Sequence, residues 1–197
     1  MSIVMTGGGT GGHLAIIKAV KEHLHDEELI YIGSTKGQDK QWFENDDDFS
    51  HTYFFETRGV VNQGALGKIK SLLMMAKATL KAMKLLRKHQ ARVVFSVGGF
   101  SAAATAFAAK ILRIPLVIHE QNAALGSLNK LLKPYATEFI SSYLEESPIK
   151  AYPIKQIFFD NARIRDKVGT IIFLGGSQGA KAINNLALQI APHLKEK

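Results

Sequence analysis

Five glycines fall within the six positions from Gly7 to Gly12, directly behind the short apolar segment Ile3–Thr6. Apolar residues then recur at helical spacing, at Leu14, Ile17, Val20 and Leu24. Glycine has no Cβ, so the backbone can bend sharply here and approach a ligand closely. A helix start behind the turn offers N–H groups and a partial positive charge. The segment predicts a strand, a turn and a helix arranged around an anion such as a phosphate or diphosphate. The alternative is a tight turn without a ligand.

The composition is that of a globular protein. The chain has 197 residues, 46% hydrophobic and 21% charged, which suffices for one full α/β domain and part of another. It has no cysteine, which excludes disulfide bonds and thiolate metal sites. We expect neither a cofactor nor a metal. No apolar run approaches the roughly 20 residues that cross a bilayer, and the N-terminus lacks a signal-peptide pattern. A soluble or peripheral protein on the cytoplasmic side is expected.

Strand and helix patterns alternate along the first 142 residues. Six segments are predicted to be strands: Ile3–Thr6, Leu29–Ile32, His51–Phe55, Val93–Val97, Pro115–Ile118 and Glu138–Ser142. Such alternation predicts an α/β fold with a doubly wound parallel sheet. Ligands bind at the carboxyl ends of the strands in such sheets. Three polar or glycine-rich turns follow strands: Gly7–His13, Gly98–Ser101 and His119–Asn122. They predict a site at one edge of the sheet.

The pattern changes near residue 145, where proline and charged residues interrupt the periodicity. A new unit then follows, with a strand at Thr170–Leu174, a second glycine turn at Gly175–Gly179 and a helix at Ala180–Leu194. One strand and one helix cannot bury a core of their own. The sequence predicts a first domain over residues 1–150, a linker over residues 151–168 and the beginning of a second domain over residues 169–197.

Positive charge is concentrated in the middle of the chain, whose formal net charge is +8. From Thr57 to His119 there are eleven lysines and arginines and no acidic residue. Within Lys68–Lys88, apolar residues recur at helical spacing, at Ile69, Leu72, Leu73, Ala76, Leu80 and Met83. A basic amphipathic helix suits an anionic membrane surface or an acidic partner. The alternative is a helix whose apolar stripe packs on the core and whose basic face is solvated.

Other enzyme classes fit the first glycine turn less well. Gly7, Gly9 and Gly12 satisfy the dinucleotide-binding pattern G-x-G-x-x-G, but Gly33–Lys36 supplies no acid for a ribose hydroxyl. Ser34 and Lys36 leave an NADP-binding oxidoreductase open. A P-loop is excluded because no Lys-Ser or Lys-Thr closes the motif. The triplet Asp46–Asp48 matches the D-x-D pattern of metal-dependent sugar transferases, but we interpret it as a solvated acidic turn.

Four motifs together resemble one family. They occur in order at Gly8–His13, Gly98–Ser101, His119–Asn122 and Gly175–Ala180. In this respect the chain is similar to the bacterial MurG glycosyltransferases, which transfer N-acetylglucosamine to lipid-linked N-acetylmuramyl-pentapeptide in peptidoglycan synthesis. The resemblance covers the whole chain. It implies the GT-B architecture of two Rossmann-like domains, the first binding the lipid acceptor and the second holding most contacts to the UDP-sugar.

The resemblance also implies roles for individual residues. In an inverting transfer from UDP-N-acetylglucosamine to the C4 hydroxyl of the muramyl sugar, His13 is expected to be the base and Glu120 is a second candidate. The implied donor contacts are Thr10, Gly11, Gly12, Asn122 and Ser177. The glycine turns supply further support at Gly98, Gly99, Gly176, Gln178 and Gly179. Family members use an arginine between the domains near the donor phosphates. Here Lys155, Arg163 and Arg165 all remain open for that role.

A lipid-linked acceptor would explain why the chain carries a basic amphipathic helix. The resemblance implies docking on the anionic inner-membrane surface, on its cytoplasmic face, through Ile69, Leu73, Lys77, Lys81 and Lys84. Other cell-wall enzymes are further possible partners, and no nucleic acid is expected. Because most of the second domain lies outside the chain, we expect the chain alone to catalyse the sugar transfer poorly. The alternative is a non-catalytic module that docks on membrane or cell-wall enzymes.

Overall fold

A computed structural model describes residues 1–57, 65–175 and 180–194, and only the backbone of residues 65, 66 and 68. The chain divides into two compact units, residues 1–159 and residues 160–197. Four predicted site residues, Gly176, Ser177, Gln178 and Gly179, lie outside the described residues.

The first unit is built on a six-stranded parallel sheet. Its strands are β1 (Ile3–Thr6), β2 (Leu29–Ser34), β3 (His51–Phe55), β4 (Val93–Ser96), β5 (Leu116–Glu120) and β6 (Glu138–Ser141), in the order β3-β2-β1-β4-β5-β6. In register, Met5 of β1 lies between Tyr31 of β2 and Phe95 of β4. The predicted doubly wound fold is confirmed, with every predicted strand of this unit within two residues of its observed bounds.

Helices cover both faces of the sheet. They are α1 (Gly11–Lys21), α2 (Asp39–Phe43), α3 (Ala65–Lys88), α4 (Ala103–Leu112) and α5 (Ser127–Leu132), with a 3₁₀ turn at Lys133–Tyr135. A further short helix, α6 (Gln156–Asp160), is exposed along its length. Successive strand residues point to opposite faces. Val4 and Ile30 therefore join the core that includes residues of α3, α4 and α5. Met5 and Tyr31 join the core that includes residues of α1 and α2. Apolar burial on both faces is what a parallel sheet requires.

Helix α3 buries a different face from the one the apolar stripe suggested. Small side chains, among them Ala78 and Ala82, are buried, and the helix packs chiefly on the alanine-rich α4. Small residues on both helices let the two backbones approach closely, so this contact selects the small face. The larger apolar residues Ile69, Leu72, Leu73 and Leu80 are 56% to 60% exposed. Helix α3 is therefore packed on the core, as the alternative expected, but through its small residues and Met83. These four larger apolar residues of the stripe do not take part.

The second unit is less regular. The helix predicted at Ala180–Leu194 is present as α7 (Lys181–Leu194). The strand predicted at Thr170–Leu174 is not formed, and Ile172 and Leu174 are exposed. A strand is held by backbone hydrogen bonds to a neighbour. The described residues of this unit contain no strand, so a strand at residues 170–174 would have no partner for its backbone hydrogen bonds.

Candidate functional site

Three turns meet at the carboxyl edge of the sheet, as predicted. The first glycine turn contacts the second at Gly8, whose N–H lies 3.3 Å from the carbonyl oxygen of Gly98. Gly98 in turn packs against the Asn129 side chain, where a Cβ would fall 2.7 Å from the amide group. Asn129 donates a 2.9 Å hydrogen bond to Glu120 at the end of β5. The three turns are therefore connected by one network of contacts.

Glycine is required at two of these contacts. Gly9 has φ +84° and Gly99 has φ +80°, in the region that side-chain-bearing residues avoid. A Cβ on Gly99 would lie 2.5 Å from the carbonyl oxygen of Gly8, and one on Gly9 would lie 2.6 Å from the Phe100 ring. Side chains at either position would push the two turns apart.

His13 lies in the first turn of α1, directly behind the glycines. Its Nδ1 is 2.8 Å from the Thr10 hydroxyl. Thr10 is the N-cap residue, yet its side chain makes no capping hydrogen bond to the helix. The hydroxyl is engaged by the histidine instead. The N–H groups of Gly11 and Gly12, which come first in the helix, have no acceptor within it because of their position.

Two effects oppose each other at the His13 ring. Burial lowers its pKa below the ordinary histidine value, while the carboxylates of Glu120 and then Asp39 raise it, and burial prevails. The ring is therefore neutral at neutral pH. When Nδ1 donates its proton to Thr10, Nε2 keeps a lone pair and can accept a proton.

Glu120 is buried at the end of β5 and holds the following loop. One carboxylate oxygen accepts hydrogen bonds from the backbone and side-chain amides of Asn122, at 2.9 and 3.0 Å. The other accepts from the Gly126 N–H at 2.8 Å and from Asn129. Because its amide nitrogen faces Glu120, the exposed Asn122 is left with its side-chain oxygen for a ligand.

His119 precedes Glu120 and is 1% exposed. Neither ring nitrogen has a hydrogen-bond partner among the described residues. The Tyr152 ring meets it edge to face, with centroids 5.9 Å apart. Burial lowers the pKa of His119, and Glu120 raises it by a smaller amount. Its ring is therefore held neutral.

The sequence analysis missed Asp39, the first residue of α2. This carboxylate is fully buried and accepts hydrogen bonds from the Gly9 N–H at 2.6 Å and the Ser34 N–H at 2.9 Å. The dinucleotide-binding pattern places its acid at the end of the second strand, whereas Asp39 lies five residues beyond Ser34, the last residue of β2. The intervening Gly37, with φ +84°, turns the chain back so that Asp39 reaches the first glycine turn. The nearby Asp39 adds to the effect of burial in raising the pKa of Tyr31.

These contacts weaken the NADP-binding alternative. The Ser34 hydroxyl, proposed to accept a ribose phosphate, is buried. It accepts hydrogen bonds from the Lys36 N–H and the Thr57 hydroxyl, both at 2.9 Å. Asp39 is fully buried, and both of its oxygens already accept backbone N–H groups, so it cannot hold a ribose hydroxyl.

Two other sets of charged residues lie outside this site. Lys21, buried at the end of α1, binds Asp46 at 2.5 Å and also Asp48. Two residues of the acidic triplet therefore neutralise a buried lysine, so the triplet is not simply a solvated turn. Lys155 pairs with Glu22 at 3.0 Å. Glu22 follows the last residue of α1, so Lys155 lies at the end of this helix opposite to His13.

The chain is similar to known bacterial proteins over its whole length. The family profile described as "Glycosyltransferase family 28 N-terminal domain" matches residues 3–141. A protein of Sulfurovum sp. strain NBC37-1 is 78% identical over 197 residues, which is 100% of this chain and 58% of that protein. It is named UDP-N-acetylglucosamine--N-acetylmuramyl-(pentapeptide) pyrophosphoryl-undecaprenol N-acetylglucosamine transferase. A protein of the same name from Sulfurimonas denitrificans is 55% identical over 199 residues, covering 100% of this chain and 58% of its own length.

A solved structure is also similar to this chain. The crystal structure of Acinetobacter baumannii MurG matches with a TM-score of 0.73 at 28% identity, over 100% of this chain and 57% of that one. The chain thus spans little more than half the length of the relatives it matches. Because the family profile covers most of its residues, the chain belongs to glycosyltransferase family 28.

Proposed function

We propose that this chain forms the acceptor-binding side of a peptidoglycan transferase. The enzyme would move N-acetylglucosamine from UDP-N-acetylglucosamine to the C4 hydroxyl of lipid-linked N-acetylmuramyl-pentapeptide, with inversion. The names of relatives that are 78% and 55% identical over the whole chain support this assignment. The structural observation that carries it is the His13 ring, oriented by Thr10 beside two interlocked glycine turns.

His13 is suited to act as the base. An inverting transfer requires removal of the acceptor proton as the hydroxyl attacks the sugar, and stabilisation of the departing diphosphate. A neutral ring with a free Nε2 takes the proton. The carboxylates of Glu120 and Asp39 then favour the imidazolium that forms, since both raise the pKa of His13.

Glu120, the second candidate for the base, is better suited to positioning. Each of its oxygens already accepts two hydrogen bonds. Taking a proton would break at least one of these contacts and release the loop that carries Asn122. We assign Glu120 to holding that loop, with the Asn122 side-chain oxygen turned toward the donor sugar.

The donor contacts of the second glycine turn rest on the family resemblance. In this proposal Ser177, supported by Gly176, Gln178 and Gly179, binds the UDP phosphates, and residues 169–197 begin the UDP-sugar domain. Thr10, Gly11 and Gly12 contact the diphosphate region or the reacting sugar. Gly98 and Gly99 support the first turn, which they touch.

Docking on the anionic cytoplasmic face of the inner membrane is proposed for α3. Its exposed side carries Ile69 and Leu73 together with Lys77, Lys81 and Lys84. Apolar side chains flanked by lysines match the chemistry of an anionic lipid surface. Among the described residues no helix is long and apolar enough to span a membrane. A cell-wall enzyme that binds the same face is the competing partner.

Transfer of labelled N-acetylglucosamine to a short-chain lipid acceptor tests the function. The assay uses this chain and an extended protein, in which the chain is joined to the part of the Sulfurovum relative outside the match. We expect turnover by the extended protein and little by the chain alone. His13→Ala should reduce kcat by at least about 100-fold, within the usual range for a general base. His23→Ala, an exposed control just beyond α1, should not. A near-normal rate for His13→Ala would remove His13 from the mechanism.

A further inference from the structure

The first glycine turn already binds a carboxylate of the protein itself. The Asp39 carboxylate lies against the turn and accepts the Gly9 N–H at 2.6 Å. The absence of a side chain on Gly8 leaves room for it, because a Cβ there would collide with the carboxylate. A second oxygen is held by the Ser34 N–H. The Asp39 carboxylate therefore occupies the position that a bound phosphate would take at Gly9.

A second N–H group of the turn is also hydrogen-bonded within the protein, and a second carboxylate lies near the turn. Gly8 donates to the Gly98 carbonyl. Glu120 is a second buried carboxylate, close enough to raise the pKa of His13. Among the described residues neither Asp39 nor Glu120 takes part in an ion pair with a lysine or arginine. Lys36, on the same turn as Asp39, is exposed.

We propose that Asp39 determines what the first glycine turn binds: its carboxylate takes the anion position, so the turn accepts an uncharged sugar and not a phosphate. Two unpaired buried carboxylates repel a phosphate dianion, and a low-dielectric surrounding strengthens that repulsion. Neutral hydroxyls experience no such penalty. They can still meet the helix-start N–H groups of Gly11 and Gly12 and the His13 ring.

This inference rests on the proposed function in one respect. Of the two contacts proposed for Thr10, Gly11 and Gly12, the inference selects the reacting sugar, next to the C4 hydroxyl that His13 would deprotonate. The diphosphate of the donor would then bind elsewhere, as the proposal for Ser177 requires. The pyrophosphate that the relatives' name gives to the lipid acceptor would also lie away from this turn. Asp39 acts through the turn and through its charge, so it is a positioning residue.

Pyrophosphate titration of the isotope-labelled chain, followed by amide NMR, tests the inference without any catalytic readout. In the unmodified chain we expect no saturable shift of the Gly8, Gly9, Gly11 and Gly12 amides, and slow exchange of the Gly9 amide despite its place in a turn. Asp39→Asn removes the charge at nearly constant size. It should tighten pyrophosphate binding at this turn by about tenfold or more, and speed exchange of the Gly9 amide. Glu44→Gln, an exposed control just beyond the end of the same helix, should do neither.

Saturable pyrophosphate binding at this turn in the unmodified chain would overturn the inference, as would rapid exchange of its Gly9 amide. Both measurements remain decisive if Asp39→Asn fails to fold. The transfer assay separates this inference from the proposed function. Absence of transfer by the extended protein would refute the function and leave the titration result standing.

Discussion

The Thr10 hydroxyl lies 2.8 Å from Nδ1 of His13, three residues further along the chain. A threonine at a helix N-cap ordinarily accepts a hydrogen bond from a backbone N–H of the first turn. Here it gives up that contact and holds the imidazole. Such a departure from ordinary capping is expected where the orientation of a side chain matters more than the stability of the helix end.

Replacing Thr10 by valine should therefore impair catalysis more than folding. Valine keeps the shape but removes the hydroxyl, so the ring loses the contact that selects its orientation and tautomer. One hydrogen bond of this kind is worth about 1 kcal/mol, or roughly a fivefold to tenfold fall in kcat. Thr10→Ser retains the hydroxyl and serves as the matched control. Transfer kinetics of the extended protein provide the measurement. Equal rates for the valine and serine variants would show that the contact is incidental.

Stability should fall in acid because three histidines have lowered folded-state pKa values. Burial is the largest cause at His13, His89 and His119. The unfolded chain, with ordinary histidine pKa values near 6.5, then binds more protons than the folded one. Their destabilising effect appears as pH falls below about 6.5 and is absent well above it. Denaturant unfolding of the chain between pH 5 and pH 8 measures it.

His119→Phe provides the specific test of this pH dependence. Phenylalanine can keep the edge-to-face contact with Tyr152 and cannot take a proton. The variant should lose part of the decrease in stability between pH 7 and pH 5. The same substitution at the exposed His25 should leave the decrease unchanged. A pH dependence identical to that of the unmodified chain would mean that His119 does not contribute.

The sequence predicted the sheet well because its signals are local and agree with one another. Each buried strand, such as Ile3–Thr6, is bounded by a glycine turn or a polar loop, and parallel strands buried on both faces leave few alternatives. The meeting of the three turns followed from the topology rule alone. In contrast, a strand at Thr170–Leu174 depends on a neighbour that its own sequence cannot supply, and that prediction was wrong.

The parts that were missed depend on packing between distant segments. The spacing of Ile69, Leu72 and Leu80 indicates a helix face but not which face the core selects. Small residues such as Ala78 and Ala82 became the buried side because α4 offers an alanine surface to them. Asp39 was missed for a related reason: its partners at Gly9 and Ser34 are brought to it by a turn at Gly37, and no motif at fixed spacing records that contact.

Glu120→Gln should destabilise the protein as well as slow transfer. The carboxylate accepts four hydrogen bonds, whereas a glutamine amide turns one oxygen into a donor that faces other donors. Leaving buried groups unpaired typically costs about 1 to 3 kcal/mol in the free energy of unfolding. Glu138→Gln, an exposed position at the start of β6, should change it by less than about 0.5 kcal/mol. An unchanged free energy for Glu120→Gln would contradict the assignment of this residue to the loop.

The exposed face of α3 should bind anionic membranes through both charge and apolar contact. Lys77, Lys81 and Lys84 changed together to glutamate should weaken sedimentation with vesicles containing phosphatidylglycerol by about 100-fold or more, since each lysine near such a surface contributes about 1 kcal/mol. Salt should weaken binding of the unmodified chain for the same reason. Changing Ile69 and Leu73 to serine should reduce the binding that persists at high salt. The same charge reversals at the exposed Lys40, Lys130 and Lys150, outside α3, control for net charge. If those reversals weaken binding equally, the attraction is nonspecific and α3 is not the docking surface.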